Sequence, residues 1–301
     1  MEAKTIIEKT DPLYSKNHMK KERQSLLLRR YFSNRLVVTG SVIILILSLI
    51  SIFAPLITIY TPYDMIVTAR LSPPSAEHFF GTDNFGRDLF SRVVYGTRVS
   101  MTVGLTVAAI TLVIGAVIGL YSAYYRTLDH ILMRICDGLM AFPAILLAIA
   151  LMAALGPNII NVILSLSIVN TPTVARVVRS AAIVVKEQTF IEALRSQGAS
   201  SWRIIWLHIA PNTLSPLIVQ ITYVFGVSVI IEASLSFLGA GIPAPAPSLG
   251  NILFDGKIVI FNAWWMTVFP GVFIILSVLG LNLFGDGLRD LLDPHTNKVK
   301  K

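Results

Sequence analysis

Cysteine occurs once in the 301 residues, at Cys136. An internal disulfide is therefore excluded, and with no other Cys or His close by there is no metal-ligand spacing. Cys136 reads as a small packing residue. Histidine is nearly as scarce: His18, His78, His130, His208 and His295 are scattered. No H-E-x-x-H or G-x-S-x-G arrangement seats catalysis, and no G-x-x-x-x-G-K-[ST] loop cradles a nucleotide phosphate. No catalytic residue, metal ligand or cofactor of its own is assigned to the chain. Charge is low too, at 14% of residues, against about 25% in soluble domains. There is no internal repeat of fixed period, and no clear inverted pair of interrupted spans.

What is abundant is apolar sequence. Hydrophobic residues make up 54% of the chain and mean hydropathy is +0.70, values of a membrane protein. A helix needs about 20 largely apolar residues to cross the roughly 30 Å of hydrocarbon. Six stretches qualify: Leu36 to Ile57, Val99 to Tyr121, Gly138 to Leu155, Ile159 to about Val184, Leu214 to Leu238, and Trp264 to Phe284. The third is short and the fourth is interrupted by polar residues, so five spans remain an alternative. Inside lipid the backbone must satisfy its own hydrogen bonds, which makes all of them helices. The expectation is an all-α membrane protein. The first 35 residues are polar, and Leu36 to Ile57 is too long for a signal-peptide core, so the first span is expected to stay as an anchor.

The formal charge is +8, and its distribution gives the topology. Lys and Arg number nine in residues 1–35, two in 123–134, five in 176–211 and four in 285–301; the alternate connections 58–97 and 239–263 carry three and one. This asymmetry places both termini and the 176–211 connection in the cytoplasm, and makes nucleic-acid binding the weaker reading of the charge. The chain accordingly divides into a basic tail (1–35), a first anchor (36–57), an extracytoplasmic segment (58–97), a five-span core (98–287) holding a loop at 187–212, and a second tail (288–301). In the first tail, RQSLLLRRYFSNR at 23–35 fits either an amphipathic surface helix or a charge cluster that sets topology.

Pro62, Pro73, Pro74, Gly81 and Gly86 give 58–97 the character of loops and turns. Three prolines spaced by alanines stiffen GAGIPAPAPSLGNILFDGK at 239–257 and disfavour helix. Gly156-Pro157-Asn158 is a tight turn. Gly115 and Gly119 let helix backbones approach closely, and intramolecular packing is favoured over dimerisation. Asn170, Thr171, Pro172 and Thr173 interrupt the fourth span, which is kinked and either water-accessible or not. Ionisable residues at membrane depth cost about 2.5 to 3.5 kcal/mol or more at the centre. Asp137 and Glu232 lie near span ends and Asp286 just past the last span. Arg134, three residues before Asp137 on one face, is its expected partner; Glu232 has no local cation, leaving an interhelical or pathway role open.

The stretch EALRSQGASSWRIIWLHIAPN at 192–212 looks like a small soluble motif. Gly198 supplies a left-handed helix end. Ser200 is a good N-cap for a second helix from about Ser201 to Ala210, which Pro211 stops. Ile204, Ile205, Leu207 and His208 with Trp202 and Trp206 suit the membrane boundary, while Glu192, Arg195 and Gln197 face a partner. A helical connector and a lever that transmits a partner's movement both remain open.

The spacing of Glu192-Ala193, Gly198 and Pro211 resembles the EAA loop of inner-membrane permease subunits of binding-protein-dependent ABC transporters. Leu194 replaces the third-position Ala, and His208-Ile209-Ala210-Pro211 replaces Ile-x-Leu-Pro. Further segments resemble the peptide and nickel branch: FAPLI at 53–57, GTDNFGRDLFSRVVYGTRVS at 81–100, CDGLMAFPAILLAI at 136–149, EASLSFLGAG at 232–241 and NLFGDGLRDLLDP at 282–294. The likeness runs from about Leu36 to Pro294 and is strongest to the second permease of dipeptide or oligopeptide importers.

This resemblance implies a type I importer permease fold with a cytoplasmic coupling helix between spans 4 and 5, in a bacterial or archaeal inner membrane. It implies a heterodimer with a homologous second permease, two cytoplasmic ATPases that use ATP and Mg, and an extracytoplasmic binding protein that delivers short peptides. Nickel complexes, glutathione or another peptide-like solute are the alternatives. The ATPase-docking positions are Glu192, Ala193, Leu194, Gly198, Ala199 and Ser200; Asp137, Pro172 and Glu232 are structural or pathway candidates. The rivals are a secondary carrier or channel, which would need a mid-membrane coupling group that is not evident, and a membrane-embedded enzyme, for which no site is evident.

Overall fold

The computed structural model describes residues 25–26 and 28–292. The first tail up to residue 24, and the second from residue 293, lie outside the described residues. Among those described there is no β-strand, only one isolated bridge between Thr82 and Asp88. The helices are α1 (Arg35–Ile52), the short α2 (Ala54–Ile57), α3 (Leu89–Tyr124), α4 (Arg126–Met140), α5 (Ala144–Leu155), α6 (Ile159–Lys186), α7 (Thr189–Ser196), α8 (Leu214–Phe237), α9 (Leu249–Ile258) and α10 (Trp265–Leu292).

The starts of these helices follow from capping. The Asn34 side chain accepts the amides of Leu36 at 2.9 Å and Val37 at 3.3 Å, which separates α1 from the helical residues 28–33 before it. Asp88 caps α3 by accepting the amide of Ser91 at 2.8 Å, and is itself held by Nδ1 of His78 at 2.9 Å. α3 therefore begins at Leu89, eight residues before the expected end of the loop at Thr97. With no proline inside its 36 residues, it extends about 54 Å, well past the hydrocarbon thickness. From 58 to 88 the chain is turns, as expected. Gly86 takes a φ of +76°.

Among the described residues five helices are long and apolar enough to cross a membrane, or six if α4 and α5 count as one span bent by 92°. The stretch Gly138 to Leu155 is the one on which the count of five or six turns, and it is broken. Pro143 takes an extended conformation at the break, and the 12 residues of α5 reach only about 18 Å. A correction concerns 239–257. The prolines do keep its first half irregular, but Ser248 caps Gly250 and α9 follows at once.

α3 and α6 lie against each other at the centre. A Cβ on Gly119 would fall 2.6 Å from the Ala175 carbonyl and one on Gly115 2.6 Å from Val174, so the small residues serve packing within the chain. Val103 and Val107 of α3, Leu166, Val174 and Val178 of α6, and Leu235 of α8 form the buried core with them. Because lipid is as apolar as these side chains, close dispersion contact more than water exclusion holds such helices together.

Candidate functional site

At one end of the bundle α6 runs into α7, a helix of eight residues that ends on a doubly bonded turn. The amide of Gly198 donates to the carbonyl of Arg195 at 2.9 Å and that of Ala199 to Leu194 at 3.0 Å, with Gly198 at φ +76°. This is a Schellman cap, and Leu194 and Ala199 are the pair whose apolar contact normally accompanies it. Both are half-buried against the core. Leu194 therefore packs beneath the turn, whereas Glu192, Ala193, Gly198 and Ser200 are exposed.

Two contacts seat α7 on the bundle, and a third ties the end of α6 beside it to α3. Ile191 is fully buried with Ile204, Ile205 and Ile209. The Arg195 guanidinium stacks 5.4 Å from the ring centroid of Tyr124, which links this exposed side chain to the end of α3. Lys186 Nζ donates to the carbonyls of Ala123 at 3.0 Å and Tyr124 at 3.4 Å, which satisfies the open end of α3.

Beyond the turn the chain re-enters helix at Ser201 and stays helical to Phe237. Two expectations are corrected here. Ser200 occupies the cap position, but its side chain makes no capping bond. Pro211 does not stop a helix. Residues Ile204–Ile209 widen into a π-helical turn and Ala210–Thr213 tighten into a 3-10 turn with the proline at its start, where no backbone N–H is required. Trp202 and Leu207 are exposed, as suits a membrane boundary. The buried Nε1 of Trp206 and Nε2 of His208 have no hydrogen-bond partner among the described residues.

The remaining candidates sit elsewhere. Asp137 pairs with Arg176 of α6 at 2.5 Å, not with Arg134. Asp129 takes Nε and Nη2 of Arg179 at 2.5 and 2.7 Å, so two ion pairs tie α4 to α6. Pro172 is buried within α6; beside it the Asn170 amide and Thr171 hydroxyl donate one turn back to Leu166 and Ser167, as polar groups around a spanning proline commonly do. Glu232 is wholly buried toward the opposite end. Its carboxylate accepts hydroxyls from Ser100 of α3 at 2.6 Å, Ser236 at 2.9 Å and Ser248 at 2.8 Å.

Sequence reasoning missed this serine trio. The i,i+4 spacing of Glu232 and Ser236 was visible, and Ser248 after the prolines is a plain capping position, but nothing local points to Ser100. It also missed a second buried cluster near that end. Arg87 Nε donates to Asp83 at 2.6 Å, Arg92 lies 3.4 Å from the same carboxylate, and Arg87 reaches Asp255 of α9 at 3.8 Å. Burial raises the Asp255 carboxyl above its ordinary pKa, while Arg92 and Arg87 pull it the other way.

A bundle of spanning helices with an exposed, capped helical turn at one end fits a membrane transport subunit, and the comparisons agree. Residues 112–298 match the family described as the inner membrane component of binding-protein-dependent transport systems. The chain belongs to this family. Residues 25–74 match the N-terminal transmembrane domain of oligopeptide transport permease C, so the two matches together take in most of the permease. A putative peptide transport system permease protein of Brucella abortus is 49% identical over 270 residues, covering 90% of this chain and 91% of that one. The dipeptide transport system permease protein DppC of Alkalihalophilus pseudofirmus is 48% identical, with 87% and 86% covered. The glutathione transport system permease protein GsiD of Pectobacterium atrosepticum is 40% identical, with 88% and 89% covered. Among solved structures, a chain of the MetNI methionine ABC transporter in an inward-facing conformation superposes with a TM-score of 0.57 at 21% identity, covering 68% of this permease and 98% of that chain. The fold is thus the expected type I importer permease.

Proposed function

We propose that this permease is the membrane subunit through which an ATP-driven importer passes short peptides handed over by an extracytoplasmic binding protein. The observation that supports it most directly is the exposed turn that ends α7, from which one helical run, Ser201 to Phe237, leads into α8. The relatives named for peptide and dipeptide transport support the substrate class. Glutathione is the second reading, favoured by the relatives named for it.

In this reading Glu192, Ala193, Gly198 and Ser200 meet an ATPase, with Leu194 and Ala199 holding the turn in shape from beneath. Two cytoplasmic ATPases bind ATP and Mg; this chain binds neither. A homologous second permease completes a heterodimer, both termini and α7 face the cytoplasm, and the 58–88 turns face the binding protein. Residues 36–57 serve as an attached anchor beside the 98–287 core. Closure of the ATPases tilts α7, and because Ser201 to Phe237 is one helical run, the tilt passes into α8. The test is reconstitution of the four membrane and ATPase subunits with the binding protein in vesicles. ATP-dependent uptake of a labelled dipeptide is the expected result. Failure of any ATPase to co-purify with the permease pair would sink the reading.

A further inference from the structure

Two cavities of about 430 and 500 Å3 run together along the joint of α8 and α10, sharing Val219, Gln220 and Arg289. They lie beside the point where the two helices press together, since a Cβ on Gly285 would fall 2.6 Å from Thr222 Oγ1. Ser215 and Pro216 of the first turn of α8 line the end nearer α7.

The lining is unusual for a spanning bundle. Asn282, Asp286 and Arg289 recur at i, i+4 and i+7, so they share one face of α10, and all three are exposed. The same face is apolar further up the helix, with exposed Val268, Val272, Ile275 and Leu279. Its polar section coincides with the groove. Asp286 and Arg289 stand three residues apart, yet neither has an ion-pair partner among the described residues. A charged cavity between α4 and α6 differs because Arg176 and Arg179 there already hold Asp137 and Asp129.

Asp286 and Arg289 stand exposed side by side on the groove where α10 ends, free to meet a solute that carries both charges. The chemistry they complement is a zwitterion: guanidinium takes a carboxylate in two parallel bonds, and a carboxylate takes an ammonium. The side-chain amides of Gln220 and Asn282, each with donors and an acceptor, match a peptide bond between those ends. We infer that this groove is the exit-side contact site of the permease, with Arg289 holding the carboxylate and Asp286 the ammonium of a short peptide. Its location on α8 makes the contact responsive to α7, because Ser215, Pro216 and Gln220 move with the helical run that begins at Ser201. The inference rests on the peptide reading above.

The experiment compares uptake of L-alanyl-L-alanine and its C-terminal amide by the complete reconstituted transporter at saturating binding protein. Arg289→Gln is expected to slow the free dipeptide by about tenfold or more and to bring the ratio of the two substrates toward one. Arg289→Lys restores part of the preference, Asp286→Asn slows both, and ATPase co-purification stays at the wild-type level. A wild-type transporter that carries neither peptide overturns the substrate reading and the groove with it. One that carries them while the variants keep the wild-type rate and ratio overturns the groove alone. So does a variant whose loss of uptake matches a loss of assembly.

Discussion

Ser248 Oγ lies 2.8 Å from Glu232 Oε1, and through this bond the cap of α9 is fastened to a carboxylate inside α8. Ser100 and Ser236 complete the set. A wholly buried carboxyl group held by three serine hydroxyls is stable only while each of these hydrogen bonds is made. Glu232→Leu leaves three buried hydroxyls without their acceptor, at about 1 to 3 kcal/mol for each that finds no other. A lower melting temperature and faster proteolysis near α9 are expected, with Glu232→Gln much milder because an amide still accepts and donates. Equal melting of all three proteins would remove the structural role of this cluster.

The contact of α3 with α6 has almost no room. Gly119→Leu would place atoms against the Ala175 carbonyl and the Arg179 amide, backbone that cannot yield without moving the helix. A loss of about 1 to 3 kcal/mol or more is expected, seen as a lower melting temperature in detergent. Gly138→Ala is the contrast: its Cβ meets nothing within 4 Å, and alanine favours helix by about 1 kcal/mol. If both substitutions behave alike, the packing account of Gly119 fails.

At the α7 turn, space and backbone strain separate cleanly. A Cβ on Gly198 meets nothing, so Gly198→Ala suffers only the left-handed backbone, about 1 to 2 kcal/mol. The protein should reach the membrane at normal levels, with uptake reduced. Glu192→Lys reverses an exposed charge and is expected to abolish uptake without changing membrane content. Wild-type uptake in Glu192→Lys would count against that glutamate as an ATPase contact, and wild-type uptake with a bulky acid at Gly198 against the turn.

Asp255 should make stability depend on pH. Burial raises its folded pKa above the value of about 3.9 in an unfolded chain. Its favourable contribution is then complete below about pH 3.9 and is lost as pH rises through the folded value. Relative to wild type, Asp255→Asn should gain melting temperature from pH 4 upward. A gap that is constant with pH, or shrinks, would contradict this.

Much of the permease is legible in one dimension. The apolar segments, the basic clusters between them and the turn at Gly198 each depend on residues within a few positions, where composition and backbone preference decide the outcome. The errors share a cause as well. Pro211 was expected to end a helix, but the π-helical turn before it had already changed the hydrogen-bond pattern. Within Gly138 to Leu155, which counts as a sixth span if the bent pair is one, hydropathy averaging hides the break at Pro143. Arg134 was the nearest cation to Asp137 in sequence, whereas Arg176 is nearest in space.

By itself the sequence determined that this is a helical membrane protein with a capped turn between two spans, because lipid forces backbone bonding to be local and glycine alone enters the left-handed conformation cheaply. Only the tertiary structure decided which polar groups meet. Ser100 and Glu232 are 132 residues apart, and the groove draws on α6, α8 and α10. Those meetings are set by how closely helices approach at residues such as Gly119 and Gly285, a property of packed surfaces that no spacing along the chain encodes.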